Sequence, residues 1–102
     1  MIDLEPAHLR KVKNILSGSL PEFDVMVYGI RASGPAKKYS YLDLAVMSEQ
    51  PLPATRLEKL AAEFTAARFP FRVETVDWGA SGKDFRKVIK KTGVLIQRSA
   101  KK

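Results

Sequence analysis

Val27-Tyr28-Gly29-Ile30-Arg31, followed by Tyr39-Ser40-Tyr41-Leu42-Asp43-Leu44-Ala45-Val46, is the stretch on which the reading of this chain turns. Phe23 to Tyr28 and Leu42 to Met47 are short runs rich in apolar and β-branched side chains, the composition of strands. Gly29 to Ser40 between them is polar and holds Gly34 and Pro35, which predicts a loop. That loop is long for a link between neighbouring strands, and long ordered loops often carry function. Asp43 stands inside an otherwise apolar run. Strand alternation sets residues 41 and 43 on one face, so Tyr41 and Asp43 share a side of the predicted sheet.

Outward from this centre the pattern changes from period two to the helical period. Leu9, Val12, Ile15 and Leu16 recur at spacings of three and four, predicting a helix over 5–17 that begins with Pro6 in its first turn and closes at Gly18 and Pro21. Pro51 and Pro53 precede a second helix over 54–68, with Leu57, Leu60, Ala61, Phe64 and Ala67 on one face. Phe71 to Trp78 reads as a third strand. Residues 82–92 read as a last helix, with Ser81 as its N-cap, Asp84 as acidic partner, Phe85, Val88 and Ile89 as its apolar face and Gly93 as its stop. Val94 to Ile96 suits a short added strand. The order, helix, strand, loop, strand, helix, strand, helix, predicts one α/β or α+β domain over residues 1–102.

The 102 residues suit one modest core, and 45% hydrophobic with 28% charged residues is ordinary globular composition. The absence of cysteine excludes disulfides and thiolate metal sites. Met1 to Leu9 carries neither a basic start nor an apolar run, and no stretch approaches the ~20 apolar residues of a membrane span, so a soluble cytoplasmic protein is expected. The net charge of +7 is local. Residues 83–102 carry Lys83, Arg86, Lys87, Lys90, Lys91, Arg98, Lys101 and Lys102 against Asp84 alone, while the rest of the chain balances. Lys83, Lys87, Lys90 and Lys91 are candidates for binding nucleic acid or an acidic partner, against the plainer reading of a solvated face. His8 reads as a surface residue, and Trp78 and Phe85 as core.

With these residues in view, the chain resembles the nucleotidyltransferase superfamily that includes DNA polymerase beta, and its minimal members most of all. In that family a strand ends in Gly-Ser, an Asp-x-Asp follows about ten residues later on the next strand, and a third carboxylate lies on a later strand in a segment like Val-Asp-Val-Val-Asp-Trp. Here the counterparts are Gly29-Ile30-Arg31, Tyr41-Leu42-Asp43 and Val73-Glu74-Thr75-Val76-Asp77-Trp78. The resemblance runs through most of residues 23–96 and implies a short mixed β-sheet flanked by helices. It assigns Asp43 and Glu74 to catalysis and metal binding, Gly29, Ile30 and Arg31 to the nucleotide, and Mg²⁺ as cofactor if the chain is active. Asp77 lies an odd number of positions from Glu74, so alternation turns it to the other face.

Two motif positions depart from the family. Ile30 replaces the serine that donates a hydrogen bond to phosphate, and Tyr41 replaces the first aspartate. Two-metal nucleotidyl transfer needs carboxylates that bridge the ions, and Mg²⁺ demands hard oxygen ligands. A phenol of pKa about 10 is ionised in roughly one molecule per thousand at pH 7 and does not substitute. The expectation is therefore a nucleotidyltransferase-fold protein with weak or absent catalysis that works by binding. The resemblance implies a helical HEPN-type partner, with this chain as the antitoxin-like half of the pair. The alternatives are an active Mg²⁺-dependent enzyme that transfers a nucleotide to protein or RNA, and a basic RNA-binding module on a retired enzyme fold. The apolar content also predicts that a homodimer or a partner covers part of the surface.

Overall fold

A computed structural model describes residues 2–100; Lys101 and Lys102 of the basic segment lie outside the described residues. The elements are α1 (Pro6–Ser19), β1 (Val25–Tyr28), α2 (Ile30–Ser33), β2 (Leu42–Val46), α3 (Ala54–Ala66), β3 (Val73–Asp77), a 3₁₀ turn (Trp78–Ala80), α4 (Lys83–Thr92) and β4 (Val94–Gln97). Four strands form one mixed sheet in the order β3-β2-β1-β4. β1 pairs antiparallel with β2 and with β4, and β2 pairs parallel with β3 through the α3 crossover. The expected sheet and its flanking helices are present. No helix among the described residues is long and apolar enough to cross a membrane.

Alternation along each strand divides the molecule into two layers. Val25 and Val27 of β1, Leu42, Leu44 and Val46 of β2 and Ile96 of β4 face α1 and α3, and pack with Val12, Leu16, Leu60 and Phe64 into the main core. The opposite face carries a smaller cluster, Tyr28, Ala45 and Ile89, with Met26, Met47, Val76 and Trp78 against it, under α4. Bidentate Arg56–Glu22 contacts, with a further Arg56 hydrogen bond to the Ser19 carbonyl, fasten α3 to the segment after α1. At the chain ends, the Asp3 N–H donates to the Arg31 carbonyl, while the Ser99 and Ala100 N–H groups donate to Asp24 and to the Pro21 carbonyl.

Several local expectations are corrected. α1 runs through Gly18 to Ser19 and ends where the Leu20 N–H closes on the Leu16 carbonyl. The loop after β1 contains the single turn α2. Ser81 does not cap α4: its hydroxyl donates to the Asp77 carbonyl, and Gly82 takes the cap position without a side-chain bond. Only Ile89 of the expected apolar face of α4 is buried; Phe85 is 39% exposed and Val88 50%. His8 is partly buried, edge-on to Phe69 and Phe71, so it belongs to the rim of the main core.

Candidate active site

The register of three strands brings the predicted carboxylates together. Tyr28 lies opposite Asp43 across β1 and β2, and Asp43 lies beside Glu74 across β2 and β3. The three form a row on the α4 face, at the end of the sheet where β1 turns into α2. Asp77 takes the other face as alternation requires: it is buried, and its carboxylate accepts the Leu52 N–H at 2.7 Å. It belongs to the scaffold.

Gly29 makes the turn out of β1. Its φ of 76° is one that L side chains rarely adopt, and a Cβ placed there would lie 3.0 Å from Asp43 Oδ2. Its N–H donates to Thr92 Oγ1 at 2.9 Å, which ties the last turn of α4 to the site. Ile30, next in sequence, is 41% exposed, as is nearly half of Tyr41.

Arg31 is a correction. Its side chain is buried and stacks over Phe71 with Cζ 4.3 Å from the ring centre. Nε donates to the Ser40 carbonyl, Nη1 to Asp3, and Nη2 to Lys37 and Lys38, at 2.9–3.2 Å. A guanidinium bonded to four carbonyls is a brace that closes the 34–40 loop onto the N-terminal segment, with four of its five N–H groups engaged there. Burial lowers its pKa, and Asp3 opposes that shift.

The charges of the row act on one another. Burial, then Glu74, raises the Asp43 pKa, so its ion is held reluctantly. Burial, then Asp43 and Glu74, pushes the Tyr28 phenol up to about 12, so it stays a neutral hydroxyl beside the carboxylates. Glu74 is paired with Arg72, Nε to Oε1 at 2.9 Å, and the same guanidinium lies 6.0 Å from the Tyr41 ring centre. Arg72 was not singled out from the sequence, although its place two residues before Glu74 on a strand sets both on one face.

Magnesium wants near-octahedral oxygen donors, with carboxylates as its protein ligands. The row offers Asp43 and a Glu74 that already holds an arginine, with a phenol at the third position. Among the described residues no three His, Cys, Asp or Glu side chains gather as a metal site. This donor set does not fit a two-metal centre.

The predicted basic residues separate. Lys83, Lys87 and Lys90 line a cavity with Trp78 and Arg86, whereas Lys91 lies outside it. Arg98 follows β4 and Trp78 follows β3, the two edge strands, so the basic segment is not one patch.

The fold matches that of single chains in solved toxin–antitoxin complexes. A chain in the structure described as "the toxin-antitoxin with AMP-PNP" matches 90% of this chain over 74% of its own length, with a TM-score of 0.75 and 18% identity. A chain in the complex of a tri-AMPylated Shewanella oneidensis HEPN toxin with its MNT antitoxin matches 93% of this chain over 73% of its own, with a TM-score of 0.71 and 18% identity. These likenesses define a nucleotidyltransferase fold. No protein-family profile matches the chain. A curated relative, the probable protein adenylyltransferase MntA of Haemophilus influenzae, is 40% identical over 100 residues, 98% of this chain and 88% of that protein. The chain belongs to the MntA family of minimal nucleotidyltransferases.

Proposed function

We propose that this chain is the antitoxin-like half of a pair with a helical HEPN-type protein, met in the cytoplasm, and that it acts by binding with little or no nucleotidyl transfer. The observation that carries this reading is the state of the carboxylate row: Tyr41 stands where a bridging aspartate is needed, and Arg72 already neutralises Glu74. Apolar side chains are also exposed near that row. Ile30, Tyr41, Phe85 and Val88 are all exposed, Phe85 sits edge-on to Tyr28, and Val88 follows one turn along α4. Exposed apolar side chains grouped at the mouth of a site favour a protein partner over a triphosphate. The pairing of a structural neighbour with a HEPN toxin and the probable adenylyltransferase activity of the MntA relative frame the two alternatives.

Co-expression with a HEPN-type protein encoded beside this chain, followed by size-exclusion chromatography with light scattering, tests the pairing. A stable complex is expected, with no label passed from α-labelled ATP to the partner in the presence of Mg²⁺. Absence of a complex would overturn the pairing. Metal-dependent labelling of the partner would show a working Asp43–Glu74 site and a catalytic role.

A further inference from the structure

We propose that the edge of α4 above Trp78 is a binding site for single-stranded nucleic acid, separate from the carboxylate row. Trp78 follows β3 and is partly exposed. Arg86 is fixed over it: Nε and Nη2 donate to the Trp78 carbonyl at 3.1 and 2.8 Å, and Cζ stands 4.8 Å from the ring centre. Lys90 Nζ approaches the same ring to 5.6 Å. With Lys83 and Lys87 these residues line an open cavity of about 350 Å³ that no carboxylate borders. Among the described residues no ion pair reaches a cation of α4.

Lys83 and Lys87, and Arg86 and Lys90, are spaced i,i+4, so like charges face one another along the helix at a cost in stability. A bound polyanion relieves that repulsion. The cavity also presents an indole, a planar guanidinium and lysine stems, which suit an occupant that alternates anionic groups with flat apolar ones. Nucleotides do so: phosphates pair with the ammonium groups, and a base stacks on the Trp78–Arg86 platform. A duplex keeps its bases inside and cannot offer them.

An acidic protein helix fits less well. The exposed apolar residues it would seek, Phe85 and Val88, do not line the cavity. Phe85 packs against Tyr28, and Thr92, one turn beyond Val88, bonds to Gly29, so that stripe borders the carboxylate row. α4 therefore has an apolar edge for the proposed partner and a cationic edge that stays open beside it.

Trp78 is the only tryptophan, so its fluorescence reports the site directly. The full chain is titrated with single-stranded RNA and DNA dodecamers, the corresponding duplexes, and polyglutamate of matched charge. Saturable quenching by single strands is expected, the RNA and DNA arms showing which is preferred. Affinity should fall about twentyfold to fiftyfold between about 50 and 200 mM salt, as three or four neutralised phosphates require. Lys83→Gln with Lys87→Gln should weaken binding at least about tenfold with an unchanged circular dichroism spectrum, because both side chains are exposed. Lys13→Gln with Lys59→Gln, which removes the same charge elsewhere, should weaken it far less. Absence of quenching, equal effects of the two double variants, or binding of duplex or polyglutamate as tight as that of single strands would overturn the proposal.

Discussion

Asp43 is kept at a cost. A carboxyl whose pKa is raised on folding binds its proton more tightly in the folded state than in the unfolded one. Stability therefore falls as pH climbs above the ordinary aspartate value of about 3.9, and the penalty is complete above the folded pKa. Asp43→Asn should raise Tm at pH 7 and leave it nearly unchanged at about pH 3; a loss at pH 7 in a thermal melt would contradict this. The same row sets the expectation for repair. Ile30→Ser restores a phosphate hydrogen bond and Tyr41→Asp a metal ligand, charge-assisted contacts of about 1.5–3 kcal/mol each. Together they should raise Mg²⁺-ATP affinity by at least about tenfold in calorimetric titration, and each alone should do much less. Tight metal-dependent binding by the unaltered chain would mean that Arg72 yields Glu74 readily. Asp43, Glu74 and Gly29 were grouped by the family resemblance, since alternation fixes a face within one strand but does not say which strands pair; the register sets Asp43 beside Glu74. The bracing role of Arg31 was not legible, because nothing in a polar loop sequence says that four carbonyls will converge on one guanidinium.

Elements declared themselves through periodicity, and the misreadings arose where periodicity is silent. It marked α4 as amphipathic without saying what would cover Phe85 and Val88, so a stripe expected to be core is half surface. Strand runs over 23–28, 42–47 and 71–78 were found, but pairing order was not, because the parallel match of β2 and β3 is set by the α3 crossover. The turn joining β3 to α4 shows a tighter constraint than its sequence suggests. A Cβ on Gly79 would collide with the backbone of Gln50, and the Gly79 N–H donates to Ser48 Oγ, itself buried. Backbone cannot swing aside as a side chain can. Gly79→Ala should cost about 1–3 kcal/mol by overpacking, read as a lower denaturant midpoint in chemical unfolding. It should also displace Trp78, which next to it anchors Arg86. A variant as stable as the parent would show that the 48–51 segment gives way freely.

At the scale of the molecule, the sheet has a site end and a far end. Tyr28, Asp43 and Glu74 mark the first, with the exposed Ile30, Tyr41, Phe85 and Val88 around it. Val88→Glu should leave Tm nearly unchanged, since half the side chain is already in water, yet weaken assembly with the proposed partner at least about tenfold in a binding titration, by burying an unpaired charge. Unchanged assembly would move the docking surface elsewhere. The antiparallel run of β4 carries the chain from Val94, opposite Val27, back to Gln97, opposite Val25, and Ser99 and Ala100 are then bonded to Asp24 and Pro21. Asp3, by contrast, is bonded to Arg31 beside the site. The two termini therefore make unequal handles. A purification tag or surface linker joined after Ala100 leaves from the far end and presents the site outward, whereas the same cargo joined before Asp3 crowds the loop that Arg31 holds shut.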